Sequence, residues 1–266
     1  AKSGHWGGII INGKAPISGD KEDKSNTALA EINNKYPYGG NNAADNSGVM
    51  TYVSICYAGA RSTQDIEHNG LTLNGVGNGT TIENIYVLES ADDAIEFFGG
   101  TVNVKNLLAV NPDDDMFDFT QGYCGTLSNC YGIWESDYTS TEADPRGIEA
   151  DGNFDGLYPN HLRQSDFVVD GMTIVNNAAN TTDNVDRMQD VIKIRRGAKA
   201  TIKNALVKGT GGAIDLVDMN DGKGAGNAAS TISITNSLQL TGKKLNGEAV
   251  LNEAGSNTGA DTSVFG

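Results

Sequence analysis

The feature that most constrains this chain is a repeat. Gly79-Thr-Thr-Ile-Glu-Asn-Ile-Tyr-Val returns as Gly100-Thr-Val-Asn-Val-Lys-Asn-Leu-Leu, as Gly125-Thr-Leu-Ser-Asn-Cys-Tyr and as Lys199-Ala-Thr-Ile-Lys-Asn-Ala-Leu-Val, with a degraded copy from Ser230 to Leu240. The first two copies are offset by 22 residues, from Asn84 to Asn106. That length holds one turn of a β-solenoid and is too short for a βαβ unit, which needs roughly 30 residues. Each copy leads into a second short apolar stretch with a polar centre: Ala94-Ile-Glu-Phe-Phe, Met116-Phe-Asp-Phe, Gly147-Ile-Glu-Ala, Val191-Ile-Lys-Ile and Ala213-Ile-Asp-Leu. Alternation of apolar and polar residues is the pattern of a half-buried strand. The reading is an all-β chain, a right-handed parallel β-helix of about 22 residues per regular coil, forming one domain over residues 1–266.

Stacked coils turn equivalent positions into columns. Asn84, Asn106, Asn129 and Asn204 fall together, as an amide ladder or as separate turn residues, and in either case they are scaffold. The next position, Ile85, Leu107, Cys130, Met172 and Ala205, reads as interior. Three insertions interrupt the coils, at 14–47, 134–165 and 218–229, and Leu29 to Lys35 inside the first reads as a short helix. Insertions between regular coils are where solenoids usually carry function.

Net charge is −15, with 34 acidic against 19 basic residues, which makes nucleic acid and anionic membrane poor partners. No apolar stretch reaches the roughly 18 to 20 residues of a transmembrane helix. Cys56, Cys124 and Cys130 are an odd count and read as buried thiols, with a Cys124 to Cys130 bridge as the alternative.

Several constellations could carry chemistry. The strand centres Glu96, Asp118, Glu149, Lys193 and Asp215 form one outward column at a rung spacing of about 4.8 Å. Successive carboxylates that close repel unless a cation or base lies among them, so the column is a metal site, a sugar-binding face or a solvated acidic surface. Asp151, Asn153 and Asp155, followed by Gly156, follow the alternate-oxygen pattern of a calcium loop. Leu162 at the twelfth position excludes an EF-hand, which leaves a Ca2+ site completed by Asp166 or Asp144, or an ordinary Asx turn. Asp113, Asp114 and Asp115 form a second acidic cluster with the same two readings. Trp134, Tyr138, Phe154 and Tyr158 lie in or beside the long insertion, as sugar-stacking rings or as packing for the loop.

The segments Gly4-His-Trp-Gly-Gly-Ile-Ile-Ile-Asn-Gly-Lys-Ala-Pro-Ile, Tyr38-Gly-Gly-Asn-Asn with Asn46-Ser-Gly-Val, Asp92-Asp-Ala-Ile-Glu-Phe-Phe-Gly-Gly and Asp144-Pro-Arg-Gly-Ile-Glu-Ala-Asp-Gly-Asn resemble a family of secreted or surface-anchored β-helix proteins of Bacteroidetes-type bacteria. The resemblance implies an extracellular or outer-surface location, a leader, and further coils ahead of Ala1, so that the chain begins partway into a solenoid. It implies no activity.

Three functions remain open. The first is a non-enzymatic binding or adhesion module directed at a glycan or another cell-surface partner. The second is a Ca2+-dependent lyase of uronic-acid polysaccharides, with Arg146 as base beside Glu149, Asp118 and Glu96; Arg163, Lys193, Arg195 and Arg196 are its other cationic candidates. The third is a structural stalk. Arginine is a poor base while carboxylates surround it, and a salt bridge is the plainer reading of Arg146. Asp92-Asp93-Ala-Ile is similar to the Asp-Asp-Cys-Ile stretch of polygalacturonases, and Ile192-Lys-Ile-Arg to their Arg-Ile-Lys. The next coil supplies no histidine motif, however, and His68 and His161 read as surface residues, which argues against a glycoside hydrolase.

Overall fold

The computed structural model describes residues 3–22, 25–62, 66–178, 188–211, 213–219, 229–241 and 253–254. Two parallel sheets run its length. One stacks Ile9–Asn12, Leu71–Asn74, Ile95–Phe98, Phe117–Thr120, Ile148–Asp151, Met188–Arg195, Ala213–Asp218 and Glu253–Ala254 in chain order. The other stacks Val49–Cys56, Thr81–Leu88, Val104–Val110, Thr126–Trp134, Asp166–Asn176, Lys199–Lys203 and Thr231–Thr235, with Leu206–Gly209 and Leu238–Thr241 continuing its later rungs. The chain alternates between the sheets, and every ladder linking one coil to the next is parallel, which defines a parallel β-helix.

Alternation within each strand separates interior from surface. Phe97 and Phe119 point inward with no exposed surface, stacked at a centroid distance of 5.1 Å, while Glu96 and Asp118 beside them point out of the coil. The interior column forms as read: Ile85, Leu107, Cys130 and Met172 are register partners, and they and Ala205 are buried. All three cysteines are free, so the Cys124 to Cys130 bridge does not form, and burial pushes the Cys130 thiol up.

The asparagines do form a ladder. Asn106 Nδ2 donates to Asn84 Oδ1 at 2.8 Å and Asn129 Nδ2 to Asn106 Oδ1 at 2.6 Å. All occupy left-handed backbone, with φ of 58°, 57° and 53° at Asn84, Asn106 and Asn129. The next coil places Gly171 at this corner, and the neighbouring Asp170 carboxylate accepts from Asn204 at 2.6 Å instead. Asn106→Ala loses two amide hydrogen bonds, each worth about 0.5–1.5 kcal/mol, and strains the left-handed corner by about 1 kcal/mol. A loss of about 2 kcal/mol in denaturant unfolding is expected, with Asn106→Gly recovering the backbone part.

The insertions differ from the expectation in two ways. Leu29 to Lys35 is not helical: Thr27–Ala30 and Asn33–Gly39 pair antiparallel across a turn at Glu31 and Ile32. Thr27-Ala-Leu-Ala alternates exposed and buried, and Ala28, Ala30, Tyr38 and Ile17 make a small second core that Phe98 joins. Only glycine fits beneath this hairpin at position 99, because a Cβ there would lie 2.5 Å from Ile17 and 2.6 Å from the Gln121 carbonyl. The 134–165 stretch is two excursions, not one, since the rung Ile148–Asp151 interrupts it. Of the 218–229 insertion, residues 220–228 lie outside the described residues, and Asp218 itself ends a strand.

Candidate functional site

The first sheet builds the site through a motif that recurs on six rungs: a polar residue, two spacers, then a second polar residue. The pairs are Asn69 and Thr72, Asp93 and Glu96, Asp115 and Asp118, Arg146 and Glu149, Asp190 and Lys193, and Asp215 and Asp218. Parallel register stacks them into two adjacent columns. Glu96 faces Asp118, which faces Glu149, which faces Lys193. The column then departs from the sequence alignment: Lys193 faces Asp218, while Asp215 falls opposite Asp190 in the neighbouring column. Ala213-Ile-Asp-Leu-Val-Asp offers two polar residues to a period-2 pattern, and pattern alone selects the wrong one.

The ladder is ionic in two different ways along its length. From the Arg146 rung onward, cations and anions interleave. Arg146 donates to Glu149, to Asp144 at 2.9 Å and to Asp190 at 3.2 Å. Arg195 holds Glu149 and, at 2.7 Å, Asp151; Lys193 holds Asp218. The rungs of Asp93 and Glu96, and of Asp115 and Asp118, carry carboxylates only. Burial, then neighbouring carboxylates, push Asp93, Glu96, Asp115 and Asp118 well above the ordinary range. Asp114, beside this stretch, is raised to about 7 by burial and by Glu149 and Asp144.

The sequence-predicted calcium loop is filled by a side chain. Arg196 Nη1 donates to Asp151 at 2.5 Å and to Asp155 at 2.6 Å, so a guanidinium takes the place where the loop oxygens converge. Asn153 is fully buried; its Nδ2 donates to Gln164 and to the Arg196 carbonyl, and its Oδ1 accepts from the Tyr158 amide. Asp166 lies on the other sheet, and Asp144 is paired with Arg146. Asp113 anchors the first excursion, accepting from Tyr138 Oη at 2.9 Å and from the Thr141 amide at 2.8 Å.

The four predicted aromatic residues separate. Trp134 is fully buried and donates to the Pro112 carbonyl, so it is a core residue and offers no face to a sugar. Tyr138 packs on Trp134 at a centroid distance of 5.5 Å. Tyr158 ties the second excursion to the first insertion by donating to the Asp20 carbonyl at 2.8 Å, and His161, buried rather than on the surface, meets the Ser25 carbonyl at 2.7 Å. Phe154 alone among the four lines the groove that these contacts enclose.

That groove, of about 430 Å³, runs over the ionic ladder. Its floor is Glu96, Asp118, Glu149 and Asp151, and its apolar walls are Leu29, Tyr38 and Phe98 on one side and Phe154 on the other. Tyr38 and Gln121, joined by a 2.7 Å hydrogen bond, stand between hairpin and sheet. Tyr38 and Asp190 escaped the sequence reading as site residues, and Asp93 and Asp115 were not placed beside the strand-centre column, although the two-spacer motif was present to align these three acids. Arg163 lies aside, donating to the carbonyls of Gly122 and Gly100.

Coiled parallel strands carrying an ionic ladder, with two insertions beside it, define a parallel β-helix with a groove over one sheet. The chain belongs to the pectate-lyase-like β-helix domain family, whose model matches residues 1–264. No curated protein and no solved structure matches it. Among the described residues, no helix is long and apolar enough to cross a membrane.

Proposed function

We propose that the groove binds a neutral glycan without cleaving it, as a module displayed outside the cell, the location that the sequence resemblance implies. The observation that carries this reading is the lining: seven carboxylates (Asp20, Glu31, Glu96, Asp118, Glu149, Asp151, Asp155) against two guanidiniums, flanked by apolar and aromatic walls. Carboxylate oxygens accept hydrogen bonds from sugar hydroxyls, and aromatic faces cover the C–H face of a pyranose. A polyuronate meets repulsion on the same floor.

The lyase reading asks Arg146 to release a proton. Its guanidinium instead faces Glu149, Asp115, Asp144 and Asp190, which together outweigh its burial and drive its pKa further up. Arg195 is raised in the same way by Glu149 and Asp151. A base needs a pKa near the working pH, and these groups move away from it.

The test is a titration of neutral oligosaccharides followed by calorimetry, beside a lyase assay on uronic-acid polysaccharides with and without Ca2+. Binding of a neutral glycan that Phe154→Ala weakens about tenfold is the expected result, about 1.4 kcal/mol for the loss of one stacking ring. Calcium-dependent growth of unsaturated product, abolished by Arg146→Ala, would overturn the binding reading.

A further inference from the structure

We propose that the outer face of the second sheet, where Tyr86, Leu108 and Tyr131 stack on successive rungs, holds an uncharged, extended β-1,4-linked polysaccharide running along the solenoid axis. This surface is on the other sheet from the groove, and the inference does not depend on the groove's reading.

The asparagine corner divides the outer face of this sheet into two strips. Before the corner the outward positions are polar: Thr81 and Glu83, Lys105, then Thr126 and Ser128. After it they are apolar on three consecutive rungs. Tyr86 faces Leu108, which faces Tyr131; beside them Leu88 faces Val110, which faces Ile133. Alternation within each strand turns these six outward, because Ile85 and Val87, Leu107 and Ala109, and Cys130 and Gly132 are the buried residues between them. Leu108 is 38% exposed and Tyr131 36%. The same scaffold carries polar side chains a few residues away, so the fold itself does not require an apolar strip here. A contiguous apolar patch with a polar rim marks an interaction surface.

Size and charge select the occupant. Three rungs at about 4.8 Å, with two outward side chains on each, span roughly 14 Å by 7 Å, on the order of 100 Å2. A stable protein interface needs about 800 Å2 from each partner, so the strip is too small for a second copy or a globular protein and has the width of one extended chain. Its rim is acidic on one side. Burial, then Cys56, Glu135, Tyr57 and Glu89, raise the Tyr86 hydroxyl above its ordinary range, which places both glutamates beside the strip. On a chain of net charge −15, a polyanion meets repulsion there, whereas a neutral chain offers hydroxyls to the carboxylates. The asparagine ladder of Asn84, Asn106 and Asn129 borders the other side with amides.

Rung spacing selects the linkage. Tyr86 and Tyr131 lie two rungs apart, about 10 Å. An extended β-1,4-linked chain advances by close to one rung per pyranose and turns over at each linkage, so like faces of the sugar recur at every second rung. Two phenol rings at that interval, with Leu108 between them, offer an apolar surface to successive C–H faces. An α-1,4-linked chain coils and cannot follow a straight strip.

The experiment incubates the full chain with microcrystalline cellulose and, in parallel, with granular starch, and measures the protein left in solution. Saturable adsorption to cellulose, with none to starch, is expected. Tyr86→Ala and Tyr131→Ala, checked for folding by circular dichroism, should each weaken adsorption about tenfold through the loss of one ring. Thr126→Ala, on the polar strip of the same strand as Tyr131, should leave it unchanged. The proposal is overturned if the wild-type chain stays in solution with cellulose, which needs no variant to fold. It is equally overturned if wild type adsorbs to starch as well as to cellulose, or if both folded tyrosine variants adsorb like wild type. Adsorption lost in Phe154→Ala and kept in Tyr131→Ala would assign the glycan to the groove alone and overturn the strip while sparing the groove's reading.

Discussion

Replacing Arg146 with methionine is expected to destabilise the protein by about 3–5 kcal/mol, because the change strands buried anions. Arg146 is 7% exposed, and its fork reaches Asp144, Glu149 and Asp190. Methionine fills much of the same volume and cannot neutralise any of them. Glu149 keeps Arg195 as a partner, whereas Asp190 has no other ion pair among the described residues and is itself raised to about 6 by burial. The measurement is the guanidinium unfolding midpoint. Neutralising the stranded partners should return most of the loss, so the triple change Arg146→Met, Glu149→Gln and Asp190→Asn should be more stable than Arg146→Met alone. If Arg146→Met shifts the midpoint by less than the equivalent of about 1 kcal/mol, the ionic ladder is not what holds these rungs.

The scaffold was legible in the sequence because its causes are local and repeated. A left-handed corner selects asparagine or glycine wherever a coil turns, and period-2 alternation fixes which side chains face inward. Asn84, Asn106 and Asn129, and Ile85, Leu107 and Cys130, were therefore readable as columns without coordinates. The site was half legible for the same reason: Glu96, Asp118 and Glu149 are consecutive centres of equivalent strands. Other parts depend on contacts between distant segments, which carry no periodic signal. Nothing within Thr27–Gly39 says that this hairpin folds over Glu96 and Asp118, and nothing in Asp151-Gly-Asn-Phe-Asp155 says that Arg196 from the next coil occupies it. The same limit explains Trp134: an aromatic residue at the mouth of an insertion looks the same whether it faces a ligand or closes the core. The ladder's second column was missed as a column for a different reason, because Asn69, Asp93, Asp115 and Arg146 precede their strands and lie outside the alternating stretch that marks them.

Asp114 supplies the second large effect, and its sign is opposite to that of an ordinary surface carboxylate. Its pKa rises from an ordinary 3.8 to about 7, through burial first and then Glu149, Asp144 and Glu67, with Arg146 acting in the opposite direction. Folding therefore favours the neutral acid. The stability this group contributes is fully present below pH 3.8 and is lost as pH rises through about 7, where the folded protein must hold a charge that the unfolded chain hydrates freely. Asp114→Asn keeps the shape and removes the charge. In chelator, the variant is expected to be more stable than wild type at pH 8, by on the order of 3 kcal/mol, and close to it at pH 4. Unfolding midpoints across that range would show the two curves converging as pH falls. A variant less stable than wild type at pH 8 would mean that the Asp114 anion is satisfied in the folded protein, and that its attraction to Arg146 exceeds the combined cost of burial and of facing three other carboxylates.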